Sequence, residues 1–155
     1  MAQHPDEEHE VELTDAVAFA LREGRMILPG IQALFGFQLI AAFNDRFHEV
    51  LGQPGEVLHL VALILVALSC ALAMTPVAFH QRCTRISHKL LRVTERFVGA
   101  AMIPLLLAIS IDVGLVAFAV TSSRGWSFGL GAATAVIFAL LWVVYPVVAN
   151  REAHA

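Results

Sequence analysis

The chain has 155 residues, of which 58% are hydrophobic and 15% are charged, and its formal net charge at pH 7 is −3. Soluble domains average about 45–50% apolar and about 25% charged residues, so this composition, with a mean hydropathy of +0.73, excludes an ordinary soluble domain. The apolar residues fall into four blocks, which is typical of a protein that crosses a membrane several times.

The first 25 residues are more polar than the rest of the chain. Residues 1–12 are rich in Asp and Glu and poor in large apolar side chains, which predicts a disordered acidic arm. From Thr14, a residue type favoured at helix starts, the apolar residues Leu13, Val17, Ala20 and Leu21 share one helical face. Residues 13–25 are therefore predicted to form a short amphipathic helix at the membrane surface.

Four apolar segments follow, and each is long enough to cross a bilayer core of about 30 Å as a helix. The predicted spans are residues 26–47, 57–79, 97–120 and 126–149, and a short tail follows at 150–155. The expected fold is therefore an all-α membrane protein with a bundle of four transmembrane helices. We expect it in the bacterial cytoplasmic membrane as a multi-pass protein.

The connectors between the predicted spans differ in charge. The first connector is net acidic, whereas the second, between residues 79 and 97, is strongly basic. Basic residues favour the cytoplasmic side of a membrane. This asymmetry predicts that the N- and C-termini both lie in the cytoplasm.

The basic side chains of the second connector recur three and four residues apart, which places them on one face of a helix. We call them the basic stripe: Arg82, Arg85, Lys89, Arg92 and Arg96. We expect the stripe to lie among anionic lipid head groups. Two alternatives stay open, namely docking of the acidic arm of this or a neighbouring subunit, and specific binding of an anionic cofactor or lipid.

Asp112 is the acidic residue that lies well inside a predicted span. A carboxylate at that depth costs several kcal/mol and usually faces a bundle interior or a water-filled path. Ala101, Leu105, Ala108 and Ala119 share its helical face, and the small residues among them allow close approach of another helix. Asp112 is a candidate for ion or proton movement, and a structural role paired with a glutamine or arginine is the alternative.

Two glutamines lie in the first predicted span, Gln32 and Gln38, and they project about 120° apart on a helix. Buried amides in lipid need partners on other helices. Depth arithmetic places a possible polar layer near the membrane centre: Gln38, Ser69, Cys70, Asp112 and Thr134. Gln32, Gln38 and Ser69 are therefore predicted to line an ion path with Asp112, with interhelical contact alone as the alternative.

The positions of the histidines argue against a bound haem. A bis-histidine haem needs two histidines on facing spans at similar depth, and no two of them are predicted there. His48 and His59 are predicted on the outer side, and His80 and His88 on the inner side. We predict no bound metal and no cofactor, although a surface metal site with His48 or His59 stays open. His59, at the outer end of the second span, is a candidate pH sensor.

The fourth span contains a glycine spacing that favours close helix packing, Gly125-x-x-x-Gly129, which Ala133 continues. The sequence does not decide which helix packs against that face. This helix belongs either to the same chain or to another copy.

Two motifs resemble a known family. The segment from Gln32 to Phe47 has the pattern Q-x-L-F-x-F-x-L-x-x-x-F-x-x-R-F, and the segment from Pro76 to His80 reads P-V-A-x-H. Both resemble DUF6328, a family of short bacterial integral membrane proteins, over about residues 22–120. Family members often have arginine directly after that histidine, whereas Gln81 stands here. The resemblance implies four spans and, through a sodium:proton antiporter label on some relatives, ion transport; it implies no active site.

The leading hypothesis is a small homo-oligomeric ion channel or proton-coupled ion transporter with an intramembrane carboxylate. The alternative is an accessory or structural subunit of a larger membrane complex that transports nothing. A lipid-modifying enzyme is a third possibility, but the sequence has no recognisable pair of nucleophile and base, so we predict that the protein is not an enzyme. The expected partners are lipids and other copies of the chain, and not nucleic acid.

Overall fold

The computed structural model describes the backbone of residues 5–82 and 88–147. Four long helices make up this part of the chain: α1 (Pro5–Ala42), α2 (Asp45–Arg82), α3 (His88–Thr121) and α4 (Arg124–Ala139). A π-helical turn, Leu140–Val144, continues α4. No strand occurs in the described residues, so the prediction of an all-α helical bundle is confirmed.

α1 is one continuous helix from Pro5 to Ala42, whereas the sequence predicts a disordered arm and a separate surface helix. Proline is favoured in the first turn of a helix. Asp6 and Glu7 follow it, and acidic residues at that end interact favourably with the helix dipole. Helix formation therefore begins within the acidic arm, and residues 1–4 of that arm lie outside the described part of the chain.

Three stretches of the described chain are long and apolar enough to cross a membrane: Glu49–Phe79, Arg92–Thr121 and Arg124–Val147. The apolar part of α1, Met26–Ala42, is shorter and measures about 25 Å as a helix. These lengths and compositions are those of a multi-pass membrane protein. The predicted tail at 150–155 lies outside the described residues.

The first predicted span is too long at its C-terminal end. The sequence predicts that it reaches residue 47, but α1 ends at Ala42, and the chain turns at Phe43 and Asn44 before α2 begins at Asp45. Asn and Asp are favoured at helix starts because their side chains can accept hydrogen bonds from the first free N–H groups. The polar residues Asn44 and Asp45 therefore start the second helix and do not end the first.

The core lies between α1, α2 and α3. Its buried centre consists of small and aliphatic side chains from these three helices: Ile31, Ala62, Val66, Leu105 and Ala108. On α3, the predicted inward face is found at Ala101, Leu105 and Ala108, which are buried. Ala119, which is predicted on the same face, is exposed. It lies close to the end of α3, where less of the bundle surrounds the helix.

α4 packs on α3 through a close backbone contact. A Cβ added at Gly131 would lie 3.0 Å from the Ser110 carbonyl oxygen, and one added at Gly114 would lie 3.2 Å from the Ser127 carbonyl oxygen. The Ser127 hydroxyl donates a hydrogen bond to the Gly114 carbonyl oxygen at 2.7 Å. Small residues at both positions are therefore what lets the two backbones approach.

The glycine spacing recognised in the sequence lies on another face of α4. Gly129 has open space where a Cβ would stand, and Ala133 is exposed. Gly131 is two residues from Gly129, which is a rotation of about 200° on a helix. Within the described chain, α3 contacts the face of Ser127 and Gly131, and no helix covers the face of Gly129.

The glycine contact gives a matched test on one helix. Gly131→Val is expected to lower the free energy of unfolding by about 1–3 kcal/mol, because the new side chain meets the backbone of α3. Gly129→Val, the control, is expected to change it much less. Equilibrium unfolding of both variants in detergent micelles measures the difference, and equal losses of stability in the two variants would contradict the α3–α4 contact described above.

Candidate functional site

A continuous buried stripe runs along one face of α2. Its members recur at intervals of three and four residues, the spacing of a single helical face: Gly55, His59, Ala62, Val66, Ser69, Ala73 and Pro76. His59 is therefore held toward the other helices, and only 6% of its surface is exposed.

His59 meets Gln38 of α1 and Asp112 of α3. The Gln38 side-chain Nε2 donates a hydrogen bond to Asp112 Oδ2 at 2.6 Å. The His59 Nδ1 atom lies 3.5 Å from Asp112 Oδ1, and its Nε2 atom lies 2.9 Å from the backbone oxygen of Gln38. We call these three residues the polar cluster, and its contacts join α1, α2 and α3 pairwise.

Two members of the polar cluster are buried, and Asp112 is partly buried. Gln38 is 3% exposed, and 19% of the Asp112 side chain is exposed. A charge removed from water is costly unless paired and hydrogen-bonded; the amide of Gln38 supplies a hydrogen bond to Asp112, and the ring of His59 lies 3.5 Å from it. The remaining exposure leaves part of the carboxylate within reach of a small ligand.

The amide of Gln38 is only partly satisfied. Its nitrogen is bound to Asp112, while its oxygen, Oε1, is buried without a hydrogen-bond partner. Most buried polar atoms in proteins have a partner, and an exception calls for an explanation such as an absent water or ion. The polar cluster therefore contains an acceptor that is free to receive a hydrogen-bond donor or a cation.

A sharp bend in α2 lies beside the polar cluster, and the turns before it carry a side chain that covers His59. Gly52 has φ +60° and ψ 176° inside α2, a conformation that glycine adopts readily and that other residues rarely adopt. The bend redirects the first turns of α2, and the ring of Phe47 packs edge-on against His59 with ring centroids 4.7 Å apart. An aromatic side chain thus closes off the imidazole.

The structure brings together three residues that the sequence places in two separate groups. Gln38 and Asp112 are expected in one polar layer, and His59 is expected apart from them as an outer pH sensor. The sequence does not reveal their contact, because the predicted first span ends later than α1 and the predicted second span begins later than α2. The stripe of α2 is the signal that could have found it, since it puts His59 in register with Ala62, Val66 and Ser69.

Ser69 lies at another level of the bundle. Its hydroxyl is fully buried and donates a hydrogen bond to the Ala101 carbonyl oxygen at 2.7 Å. Ala101 precedes Asp112 by eleven residues on α3, which corresponds to about 16 Å along a helix. Ser69 therefore links α2 to α3, and it does not join the polar cluster.

Gln32 and Thr134 are also separate from the polar cluster. Gln32 is exposed, about 9 Å before Gln38 along α1, and it lines an apolar groove between α1 and α2 with Phe35 and Met74. The hydroxyl of Thr134 donates to the Leu130 carbonyl oxygen of its own helix at 2.9 Å. Gln38 and Asp112 are thus in direct contact, whereas Gln32 of the predicted path and Thr134 of the predicted polar layer contact neither of them.

Part of the basic stripe lies outside the described residues, namely Arg85 and the side chains of Arg82 and Lys89. Arg92 and Arg96, in the first turns of α3, are exposed. Contact of the stripe with lipid head groups stays a prediction. In the part of the chain that the structure describes, no three His, Cys, Asp or Glu side chains lie together as a metal site requires.

Comparison with known proteins gives one match. The model of the family of unknown function DUF6328 matches residues 6–146 of this chain. No curated protein and no solved structure matches it.

The two glutamines of α1 provide a test of the polar cluster. Gln38→Leu is expected to destabilise the protein by about 1–3 kcal/mol, because Asp112 loses its hydrogen-bond donor inside the bundle. Gln32→Leu is expected to change stability by less than about 0.5 kcal/mol, since its side chain is exposed. Thermal or denaturant unfolding in detergent compares the two, and a neutral Gln38→Leu would show that its amide contributes nothing to the fold.

Proposed function

The chain belongs to the DUF6328 family, whose function is unknown, and we propose that it moves an ion across a membrane as a small channel or proton-coupled transporter. The observation that carries this proposal is the partly buried carboxylate of Asp112, which side chains from two other helices contact. Asp112 is the central ion or proton site of the proposed mechanism. Gln38 is a second ligand group, and His59 is the partner of Asp112 on α2.

Burial of these groups favours transport over a purely structural role. Ionisable residues inside membrane segments are rare and usually mark ion pathways or proton relays. A structural tie needs its hydrogen bonds satisfied, whereas Gln38 Oε1 is buried without a partner. An ion site, in contrast, keeps an acceptor available for its ligand.

The proposal includes assembly of several copies. Four helices are few to enclose a path, and α4 has no buried residue among those described. Its outer face carries large apolar side chains such as Trp126, Phe128 and Ile137, which suit contact with lipid or with another copy. In the proposed orientation both termini face the bacterial cytoplasm, where Arg92 and Arg96 meet anionic lipid head groups.

Flux measurements test the proposal directly. Purified protein in liposomes is expected to pass protons or monovalent cations between pH 5 and 8, and Asp112→Asn is expected to reduce that flux by at least tenfold, because the carboxylate is removed with little change of shape. Thr134→Val is the matched control, since its hydroxyl bonds only within α4, and it should keep wild-type flux. Equal flux from wild type and Asp112→Asn would exclude Asp112 as the central site.

The second candidate function is an accessory or structural subunit of a larger membrane complex. The continuous exposed face of α4 favours it, because a partner protein can occupy that face. Under this hypothesis the folded protein in liposomes passes no ion at any pH in the range, and a stoichiometric partner co-purifies from the native membrane. Neither candidate gives the protein a catalytic role.

A further inference from the structure

With Asp112 ionised and His59 neutral, the polar cluster has too few hydrogen-bond donors for its acceptors. The imidazole of His59 lies between two oxygens, with Nε2 2.9 Å from the Gln38 backbone oxygen and Nδ1 3.5 Å from Asp112 Oδ1. A backbone oxygen and an ionised carboxylate only accept hydrogen bonds, and a neutral imidazole carries a single N–H. Two favourable contacts therefore need two protons, of which the neutral ring supplies one.

Neither tautomer of a neutral ring solves this problem. With its proton on Nε2, the lone pair of Nδ1 faces the carboxylate, and with its proton on Nδ1, the lone pair of Nε2 faces the backbone oxygen of Gln38. Such acceptor–acceptor contacts are costly where water is excluded. One additional proton, on Nδ1 of His59 or on Oδ1 of Asp112, makes both contacts favourable.

We infer that the polar cluster is a binding site for one proton, shared between His59 and Asp112, so that the ion of the proposed transport function, on which this inference rests, is the proton. In the uptake step an O–H bond of a hydronium ion breaks and an N–H bond at Nδ1 or an O–H bond at Oδ1 forms. A water molecule leaves, and the charge of the cluster rises from −1 to 0.

Gln38 Oε1 supplies the place at which the proton carrier binds. It is a buried acceptor without a partner, and the nitrogen of the same amide is bound to Asp112 Oδ2. A water or hydronium that donates to Oε1 is therefore connected to Asp112 through the amide group of Gln38. Donors of this kind are the ligands that a lone amide oxygen in a small polar site accepts.

Among the side chains that the structure describes, few other charged groups lie near the shared proton. Asp112 faces His59 from α3, and the uncharged amide and backbone oxygen of Gln38 face it from α1. The ring of Phe47 covers His59 from the first turns of α2, and Glu56, half-buried, lies one turn before it on the same helix. Loss of the proton therefore changes mainly the contacts of His59 with α1 and α3.

The pH dependence of stability tests this inference without any flux. Above about pH 7, aspartate and histidine in an unfolded chain have both lost their protons, whereas the folded cluster keeps one. The folded state then binds more protons than the unfolded state, so stability falls as pH rises. The unfolding equilibrium constant is expected to increase up to tenfold per pH unit until the cluster loses its proton.

Asp112→Asn is expected to remove this dependence. The amide of an asparagine can donate to Nδ1 of His59 and accept from Gln38, and so it satisfies the cluster without an extra proton. Glu49→Gln, the same chemical change at an exposed position, should retain the wild-type dependence. The inference is overturned if wild type and Asp112→Asn show the same slope between pH 7 and 9.

A second measurement keeps the test valid if Asp112→Asn does not fold. In wild-type protein labelled with ¹⁵N-histidine, the Nε2 atom of His59 is expected to carry a proton throughout the range in which the cluster is loaded, with His59→Gln used for assignment. A ring without that proton would overturn the inference. Proton binding without liposome flux would refute transport alone, and Asp112-dependent flux without proton uptake would refute the shared proton alone.

Discussion

A carboxylate buried among apolar helices must find its partners inside the bundle, and the arrangement of α1, α2 and α3 depends on how Asp112 does so. Gln38 reaches Asp112 through its side chain and His59 through its backbone oxygen. These contacts fix the rotation of α1 and α2 about their axes, because a turn of either helix would carry its polar group into lipid. In a membrane, where apolar burial gives little preference for one helix face over another, polar contacts and close packing set the orientation.

The other polar contacts between the helices differ in kind. The hydroxyl of Ser69 donates to Ala101 and that of Ser127 donates to Gly114, so each pairs one donor with one backbone acceptor at any physiological pH. They hold α2 and α4 to α3 without any change of protonation, and the backbones of α3 and α4 also approach each other closely. The polar cluster is different because its hydrogen bonds depend on the shared proton inferred above, and so the attachment of α1 is the part of the bundle that loss of this proton loosens.

Much of this could be predicted from the sequence, since the apolar blocks give the helices and the intramembrane carboxylate gives the candidate site. The contact of His59 with Asp112 could not, for two local reasons. The turn at Asn44 shortens the first apolar helix, which moves Gln38 toward the end of the bundle where His59 lies. The bend at Gly52 lets α2 begin at Asp45, and its φ of +60° is invisible in a hydropathy profile because glycine occurs in straight membrane helices as well.

The position of the polar cluster along the bundle bears on how transport would work. Asp112 lies about 14 Å from the end of α3 at Thr121 and about 30 Å from Arg92, where the apolar stretch of α3 begins. The longer way passes the buried apolar side chains of Ala101, Leu105 and Ala108, and the buried hydroxyls of Ser69 and Ser110 on that way are bonded to backbone oxygens. Without helix movement, the residues that the structure describes therefore offer the proton no continuous polar path toward Arg92. Transport through a single copy requires the helices to move, and this favours a carrier, in which deprotonation of the cluster releases α1 or α3, over an open channel.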